Sequence, residues 1–287
     1  MKRRSNDEMY ALIFDRANQD EHILAVLLNG SRANPLARVD EMQDFDIVYV
    51  VDELEPWLHY DWTADFGPVV IMQEPEGMTL FPPEYPGTYA WLMLFVDGNR
   101  IDLTLVDQKY SERYCHDPMT ICLLDKTGAF QDLPEPTAQQ FYTHIPSEAQ
   151  YQDALNEFFW VSTYVAKGLW RHEYFYAAMY LNDHMRRMLL LMVDWLAACR
   201  HDGYCYTGKC DRYLPLCLDE ESCQKLMQTY RLENEAAIVQ CLKQMIILMR
   251  EFATEVAEIL HFTYPQAMDQ RVVRYLERTL EDSQQRK

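Results

Sequence analysis

The sequence predicts an α+β protein, with strands in its first half and helices in its second. Short apolar runs separated by turn residues fill the chain up to about residue 140. From Ser147 onward the chain is almost free of proline and glycine and follows helical periodicity over long segments. Strands followed by helices are typical of an α+β chain or of two separate domains. We therefore expect a first domain over residues 1–140 and a helical domain over residues 141–287.

The first half is expected to open with a helix and to continue with strands. Ser5 and Glu8 have the spacing of a capping box, which predicts a helix over residues 5–19. Apolar runs then predict strands at residues 23–28, 47–51, 69–72, 91–96 and 100–106. Asp97-Gly98-Asn99 predicts a tight turn that makes the last two strands a hairpin.

The second half is expected to contain long amphipathic helices. Apolar residues at helical spacing predict them at about residues 147–169, 173–199, 233–262 and 267–282. The segment 203–223 is interrupted by Gly203, Gly208 and Pro215, which predicts irregular structure there.

The net charge restricts the partners. Among 287 residues, 26 are basic and 45 are acidic, which gives a formal net charge of -19. Nucleic-acid binders usually present a basic face, so this charge disfavours DNA or RNA as a partner. An acidic surface attracts cations, including small polycationic molecules. The alternative is that the acidity only aids solubility.

The sequence indicates neither a membrane span nor export. No window holds the roughly 18 uninterrupted apolar residues of a membrane helix, and the basic N-terminus lacks the apolar segment of a secretory signal. We therefore expect a cytoplasmic protein with no membrane partner, whose eight cysteines are reduced thiols.

Two aspartates stand at the start of the strand at 47–51. Residues i and i+2 of a strand share a face, so Asp44 and Asp46 would project side by side. Mg²⁺ is the expected cation between them, because it binds through one or two carboxylates together with substrate phosphates. Upstream, Gly30-Ser31 offers backbone N–H groups and a hydroxyl to a phosphate. These features predict metal-assisted chemistry on a nucleotide.

A third aspartate, Asp102, lies in the second strand of the hairpin between Ile101 and Leu103. Taken alone, Asp102 is best explained as a solvent-facing strand residue. Beside Asp44 and Asp46, it completes a site able to hold two cations about 4 Å apart across a transferring phosphoryl group.

The order Gly30-Ser31-Arg32, Asp44-x-Asp46 and Asp102 on a later strand resembles the polymerase-β-type nucleotidyltransferase superfamily. More narrowly, the chain resembles the aminoglycoside 6-adenylyltransferases, also called streptomycin adenylyltransferases, from about residue 5 to residue 280. The stretches that carry this likeness are residues 28–34, 43–49, 71–75, 97–104 and 159–171.

The resemblance implies a mixed-sheet nucleotidyltransferase domain followed by an all-α helical-bundle domain that binds the substrate. ATP and a cationic aminoglycoside would bind between them, and AMP would pass to the 6-hydroxyl of streptomycin with release of pyrophosphate, giving antibiotic resistance. Asp44, Asp46 and Asp102 would hold Mg²⁺, with two ions expected, and Asp102 would also accept the proton of the attacking hydroxyl. Gly30 and Ser31 would grip the phosphates.

The resemblance also indicates further nucleotide contacts. Arg32 either contacts phosphate or braces its loop by pairing with an acid. Lys209 resembles a lysine that related adenylyltransferases direct at the triphosphate, although the residues around it fit that pattern loosely. Lys167 is a second candidate, with a solvated lysine as the alternative.

For the antibiotic, the candidate is Asp183, which lies within an otherwise apolar and aromatic helical segment. Burying a carboxylate there is costly unless it meets a cation, and streptomycin's guanidinium groups would be such cations. The competing explanation is an ion pair with Arg186 or Arg187 at helical spacing.

Competing functions are a nucleotidyltransferase of the same fold that acts on another small molecule, on nucleic acid or on a protein hydroxyl, and a binding protein without activity. The three aspartates and Gly30-Ser31 are all present, which argues against loss of catalysis.

Overall fold

The computed structural model describes residues 2–80 and 85–285, and the chain divides into two units, residues 1–140 and residues 141–287. The first unit contains a β-sheet, and the second is built of helices. A sheet in one half and helices in the other confirm the predicted α+β fold class.

The described residues of the first unit contain six strands, and each expected strand is present. They are β1 (Ile23–Leu28), β2 (Phe45–Val51), β3 (Val69–Gln73), β4 (Thr88–Phe95), β5 (Arg100–Asp107) and β6 (Ile121–Asp125). Their order in the sheet is β3-β4-β5-β2-β1-β6. The β2–β5 pair is parallel and the other neighbouring pairs are antiparallel, so the sheet is mixed, as expected.

Helix α1 (Asn6–Gln19) covers one face of the sheet. The predicted capping box is present, since the side chains of Ser5 and Glu8 each accept a hydrogen bond from the other's backbone N–H. Met9 and Ile13 of α1 are fully buried against the sheet, and the Tyr49 hydroxyl donates to the Ile13 carbonyl oxygen at 2.8 Å. The opposite face carries a smaller apolar cluster around Val48 and Val106. That second face also carries Asp46 and Asp102, because Asp46 lies two residues before Val48 and Asp102 lies four residues before Val106.

Two single-turn helices complete the first unit, α2 (Gly30–Ala33) and α3 (Thr63–Phe66). Further short segments form 3₁₀ helices, at Glu55–Trp57, Pro75–Gly77, Gln108–Cys115 and Gln139–Phe141, and in the second unit at Lys209–Asp211.

The helices of the second unit enclose one large apolar core. They are α4 (Glu148–Trp170), α5 (Tyr174–Met179), α6 (Arg186–Arg200), α7 (Leu214–Cys217), α8 (Glu220–Gln228), α9 (Glu235–Leu260) and α10 (Gln266–Gln285). A capping box of Ser147 and Gln150 begins α4. In the described parts of the chain, no helix is both long enough and apolar enough to cross a membrane.

The structure differs from the sequence analysis at several elements. The helix expected at 173–199 is interrupted by a π-helical segment, Tyr180–Met185, which separates α5 from α6. Strand β6 and helix α8 were not predicted. All five residues of β6 are half-buried, so the strand lacks the alternation that marks an amphipathic strand.

Candidate active site

The parallel pairing of β2 and β5 brings the three aspartates together. Asp46 and Asp102 are register partners on these adjacent strands. Asp44 lies two residues before Asp46, and Arg100 lies two residues before Asp102, so all four side chains project from the same face. The site therefore contains three carboxylates and one guanidinium, two of the four side chains at the start of β2 and two at the start of β5.

Arg100 is a cation that contacts two of these acids, Asp102 and Asp44. Its Nε and Nη2 donate to Oδ1 and Oδ2 of Asp102 at 2.6 and 2.7 Å, and its Nη1 lies 3.7 Å from Oδ2 of Asp44. The hydrogen bonds to Asp102, with the nearby negative charges, raise the pKa of Arg100. Sequence reasoning missed this residue, although its spacing from Asp102 placed it on the same strand face.

The carboxylate of Asp46 packs against Gly30. A Cβ added at position 30 would lie 1.9 Å from Oδ2 of Asp46, and the φ of Gly30 is +66°, so only glycine fits without displacement. The N–H of Asn29 donates to the Asp46 carbonyl oxygen at 2.9 Å, and the N–H of Ser31 donates to the Asp46 carboxylate. The Gly-Ser turn is thus built around Asp46.

Burial and neighbouring negative charges act together on Asp46. Its burial, followed by the charges of Asp102 and Asp44, raises the pKa of Asp46 to about 6. Arg100 and the Ser31 N–H act in the opposite direction but do not cancel the effect. A positive charge brought to this carboxylate would therefore be stabilised.

Arg32 contacts the chain just before β2. Its Nε donates to the carbonyl oxygen of Asp44 at 2.9 Å, and its Nη2 donates to that of Gln43 at 3.0 Å. The guanidinium carbon lies 3.7 Å from the centre of the Phe45 ring. These contacts join α2 to the start of β2 through backbone carbonyls.

Asn29 forms a polar contact that the sequence did not indicate. Its Nδ2 donates to Oγ1 of Thr120 at 2.8 Å and to Oδ2 of Asp117 at 3.2 Å. This ties the end of β1 to the segment that leads into β6. Because β6 was not predicted, no sequence signal placed these residues beside Asn29.

In the second unit, Asp183 lies in the π-helical segment and is exposed, so the expectation of a buried carboxylate is wrong. Its Oδ1 accepts a hydrogen bond from Nδ2 of Asn182 at 3.2 Å. Arg186 instead donates to Asn182 and to Thr229. Within the described residues, no ion pair joins Asp183 to either neighbouring arginine.

Lys209 is exposed and begins a 3₁₀ turn whose other residues, Cys210 and Asp211, both have a φ of 56°. Lys167 lies on α4 with its Nζ 5.0 Å from the centre of the Tyr164 ring. The two lysines therefore lie on separate elements of the second unit.

The donor atoms of the site suit a hard cation. Three carboxylates supply only oxygen ligands, which is the chemistry that Mg²⁺ prefers. Within residues 2–80 and 85–285, no three His, Cys, Asp or Glu side chains are grouped closely enough to hold a metal ion as they stand. The residues fit Mg²⁺ by donor type and charge.

The chain matches the sequence model of one protein family, described as streptomycin adenylyltransferase, over residues 3–279. It is 36% identical over 278 residues to the aminoglycoside 6-adenylyltransferase of Bacillus subtilis (strain 168), covering 96% of this chain and 97% of that protein. It is 34% identical over 275 residues to the aminoglycoside 6-adenylyltransferase of Campylobacter jejuni, covering 95% of each.

Among solved structures, the chain is similar to a crystal structure of an aminoglycoside 6-adenyltransferase from Bacillus subtilis. The two share 33% sequence identity over 96% of this chain and 98% of that chain, with a TM-score of 0.48.

Proposed function

The chain belongs to the streptomycin adenylyltransferase family, and from this membership we propose that it transfers AMP from ATP to a hydroxyl of an aminoglycoside and releases pyrophosphate. The 6-hydroxyl of streptomycin is the expected acceptor. The curated relatives that carry the name aminoglycoside 6-adenylyltransferase, at 36% and 34% identity, support this activity.

The observation that supports the proposal most is the pairing of Asp46 with Asp102 on parallel strands, beside a turn that requires Gly30. Three carboxylates next to a Gly-Ser turn are suited to a nucleoside triphosphate and its metal. A structural role alone would not need a carboxylate to be buried beside two like charges, which together raise the pKa of Asp46.

Asp44, Asp46 and Asp102 are proposed to hold Mg²⁺, with two ions expected. Mg²⁺ held there would neutralise charge on the triphosphate and favour in-line attack. Asp102 accepts the proton of the attacking hydroxyl. The Gly30-Ser31 turn grips the phosphates, and Arg32 keeps the turn and the start of β2 together through its contacts to backbone carbonyls.

The remaining roles are assigned to the second unit, which we propose as the substrate-binding domain, with residues 1–140 as the catalytic domain. Lys209 contacts the triphosphate. Asp183 binds a guanidinium group of the antibiotic, and because its carboxylate is exposed it is accessible to a bound molecule.

The acceptor is proposed to be a small cation and not a nucleic acid. The net charge of -19 repels a phosphate backbone and attracts a polycationic aminoglycoside. The reaction is assigned to the cytoplasm, where ATP is available.

The test is to incubate the wild-type protein with ATP and Mg²⁺ and with one acceptor at a time: streptomycin, other aminoglycosides, RNA or a protein mixture. Pyrophosphate release and the mass of the product are measured. We expect an AMP adduct of streptomycin. If pyrophosphate is released with RNA or protein as the acceptor but with none of the aminoglycosides, the alternative acceptor classes are supported and the proposal is contradicted.

A further inference from the structure

The ion pair between Arg100 and Asp102 occupies both oxygens of the proposed catalytic base. The two hydrogen bonds, of 2.6 and 2.7 Å, form the bidentate fork that arginine makes with a carboxylate. A base must present a lone pair to the proton that it accepts. Each oxygen of Asp102 keeps a second lone pair, but the positive charge of the guanidinium beside this carboxylate opposes the binding of a divalent cation there.

Arg100 also reaches a second proposed metal ligand, since its Nη1 lies 3.7 Å from Oδ2 of Asp44. Its side chain is 40% exposed, which leaves a long flexible stem room to move into solvent. The guanidinium thus lies among the same carboxylates that a divalent cation would bind.

We propose that Arg100 is a built-in counter-ion, which competes with the divalent cation for Asp44 and Asp102 and leaves Asp102 when the metal and ATP bind. This inference rests on the proposed function of the same carboxylates. Arg100 is a positioning residue in this account, because it acts through Asp102 and not on a reacting atom.

Two consequences follow from the charges. Without nucleotide, a divalent cation has to displace a guanidinium from its partners, so the protein binds the cation weakly. With ATP, the phosphates offer the displaced guanidinium a new partner of matching geometry, so the exchange becomes favourable. Arg100 would thereby couple metal binding to nucleotide binding.

The test measures Mn²⁺ binding to the nucleotide-free protein, by the loss of the free-ion electron paramagnetic resonance signal. In Arg100→Gln we expect the Kd for Mn²⁺ to fall at least tenfold below that of the wild type. Arg100→Met, which keeps part of the apolar stem, should show the same gain and guards against a defect specific to one substitution. Circular dichroism checks that both variants are folded.

The matched control is Arg200→Gln. Arg200 makes the same kind of fork with Glu255, at 2.7 and 2.8 Å, and is 31% exposed, but it lies on α6 of the second unit. Its loss should leave Mn²⁺ binding unchanged. A second readout is the rise in Tm on adding Mg²⁺, which should be larger in Arg100→Gln than in the wild type because tighter binding to the folded state stabilises it more.

Mn²⁺ binding that is no tighter in Arg100→Gln and Arg100→Met than in the wild type would overturn the inference. Adding Asp46→Asn to Arg100→Gln separates this failure from failure of the metal site. If Asp46→Asn weakens Mn²⁺ binding but the loss of Arg100 does not strengthen it, the carboxylates bind metal and only the role of Arg100 is wrong. If Asp46→Asn leaves binding unchanged, the metal assignment under the proposed function is wrong as well.

Discussion

Replacing Gly30 with alanine tests whether the Gly-Ser turn is built around Asp46. The new Cβ would lie 1.9 Å from Oδ2, 2.4 Å from Cγ and 3.0 Å from Cβ of Asp46. Because real Cβ atoms essentially never lie within 3.0 Å of such neighbours, the carboxyl group has to retreat by more than 1 Å. The backbone of Asp46 cannot move away together with its carboxyl group, because β2 is held between β1 and β5.

Two effects of different size should result. The left-handed backbone at position 30 costs alanine about 1–2 kcal/mol of stability. The displaced carboxylate should cost activity, because a misplacement of about 1 Å at a reacting centre can lower the rate about 100-fold. We therefore expect a modest fall in Tm and a large fall in kcat.

The assay is steady-state pyrophosphate release, with thermal unfolding measured on the same samples. Gly203→Ala is the matched control, because Gly203 has a similar φ of +81° and no atom within 4 Å of its added Cβ. It should lose similar stability and keep its kcat. Near-native kcat in Gly30→Ala, or an equal loss of kcat in Gly203→Ala, would refute the reasoning.

Further predictions concern three other side chains. Burial alone would raise the pKa of Asp97, but hydrogen bonds from Arg4 and Asn99 outweigh it and hold that pKa well below its usual range. Since the folded state has the lower pKa, the carboxylate stabilises the fold above about pH 4 and loses this contribution as the pH falls. We expect the free energy of unfolding, measured with urea at a series of pH values, to fall less steeply with acid in Asp97→Asn than in the wild type. Asp183→Asn should raise the KM for streptomycin about tenfold with kcat little changed, if a charged hydrogen bond of about 1.5 kcal/mol is lost. Lys209→Ala should raise the KM for ATP by a similar factor, measured by varying ATP at saturating streptomycin.

Each of these outcomes can contradict its premise. Unchanged acid dependence in Asp97→Asn would mean that the ion pair does not shift the titration of this group. An unchanged KM for streptomycin or for ATP would remove Asp183 or Lys209 from its proposed role.

The strands that carry the acids could be predicted because their signals are local. The apolar runs before Gly30 and after Asp46, and the turn at Asp97-Gly98-Asn99, correspond to β1, β2 and the β4–β5 hairpin. The capping box at Ser5 placed the start of α1 for the same reason. In each case, residues within a few positions determine the conformation.

The relation between distant strands could not be predicted from these patterns. The parallel register of β2 and β5 joins residues more than fifty positions apart, and it decides that Asp46 faces Asp102. The ion pair of Arg100 is a consequence of this register together with its spacing from Asp102. The contact of Asn29 with Thr120 depends on β6, whose residues carry no alternating pattern.

In the second unit, the helices were predictable from periodicity, but the π-helical segment was not. One extra residue per turn at Tyr180–Met185 changes which side chains face outward, and Asp183 is consequently exposed. An α-helical reading of the same residues placed it among apolar neighbours.

The central claim is that Asp44, Asp46 and Asp102 carry out adenylyl transfer to an aminoglycoside. The most direct measurement compares kcat for streptomycin-dependent pyrophosphate release in the wild type, Asp46→Ala and the control Asp52→Ala, whose carboxylate pairs with His22 on the surface. We predict release by the wild type and by Asp52→Ala, and a fall of about 10³-fold or more in Asp46→Ala with the fold intact. Near-native kcat in folded Asp46→Ala, or no release by the wild type with any aminoglycoside, would contradict the account.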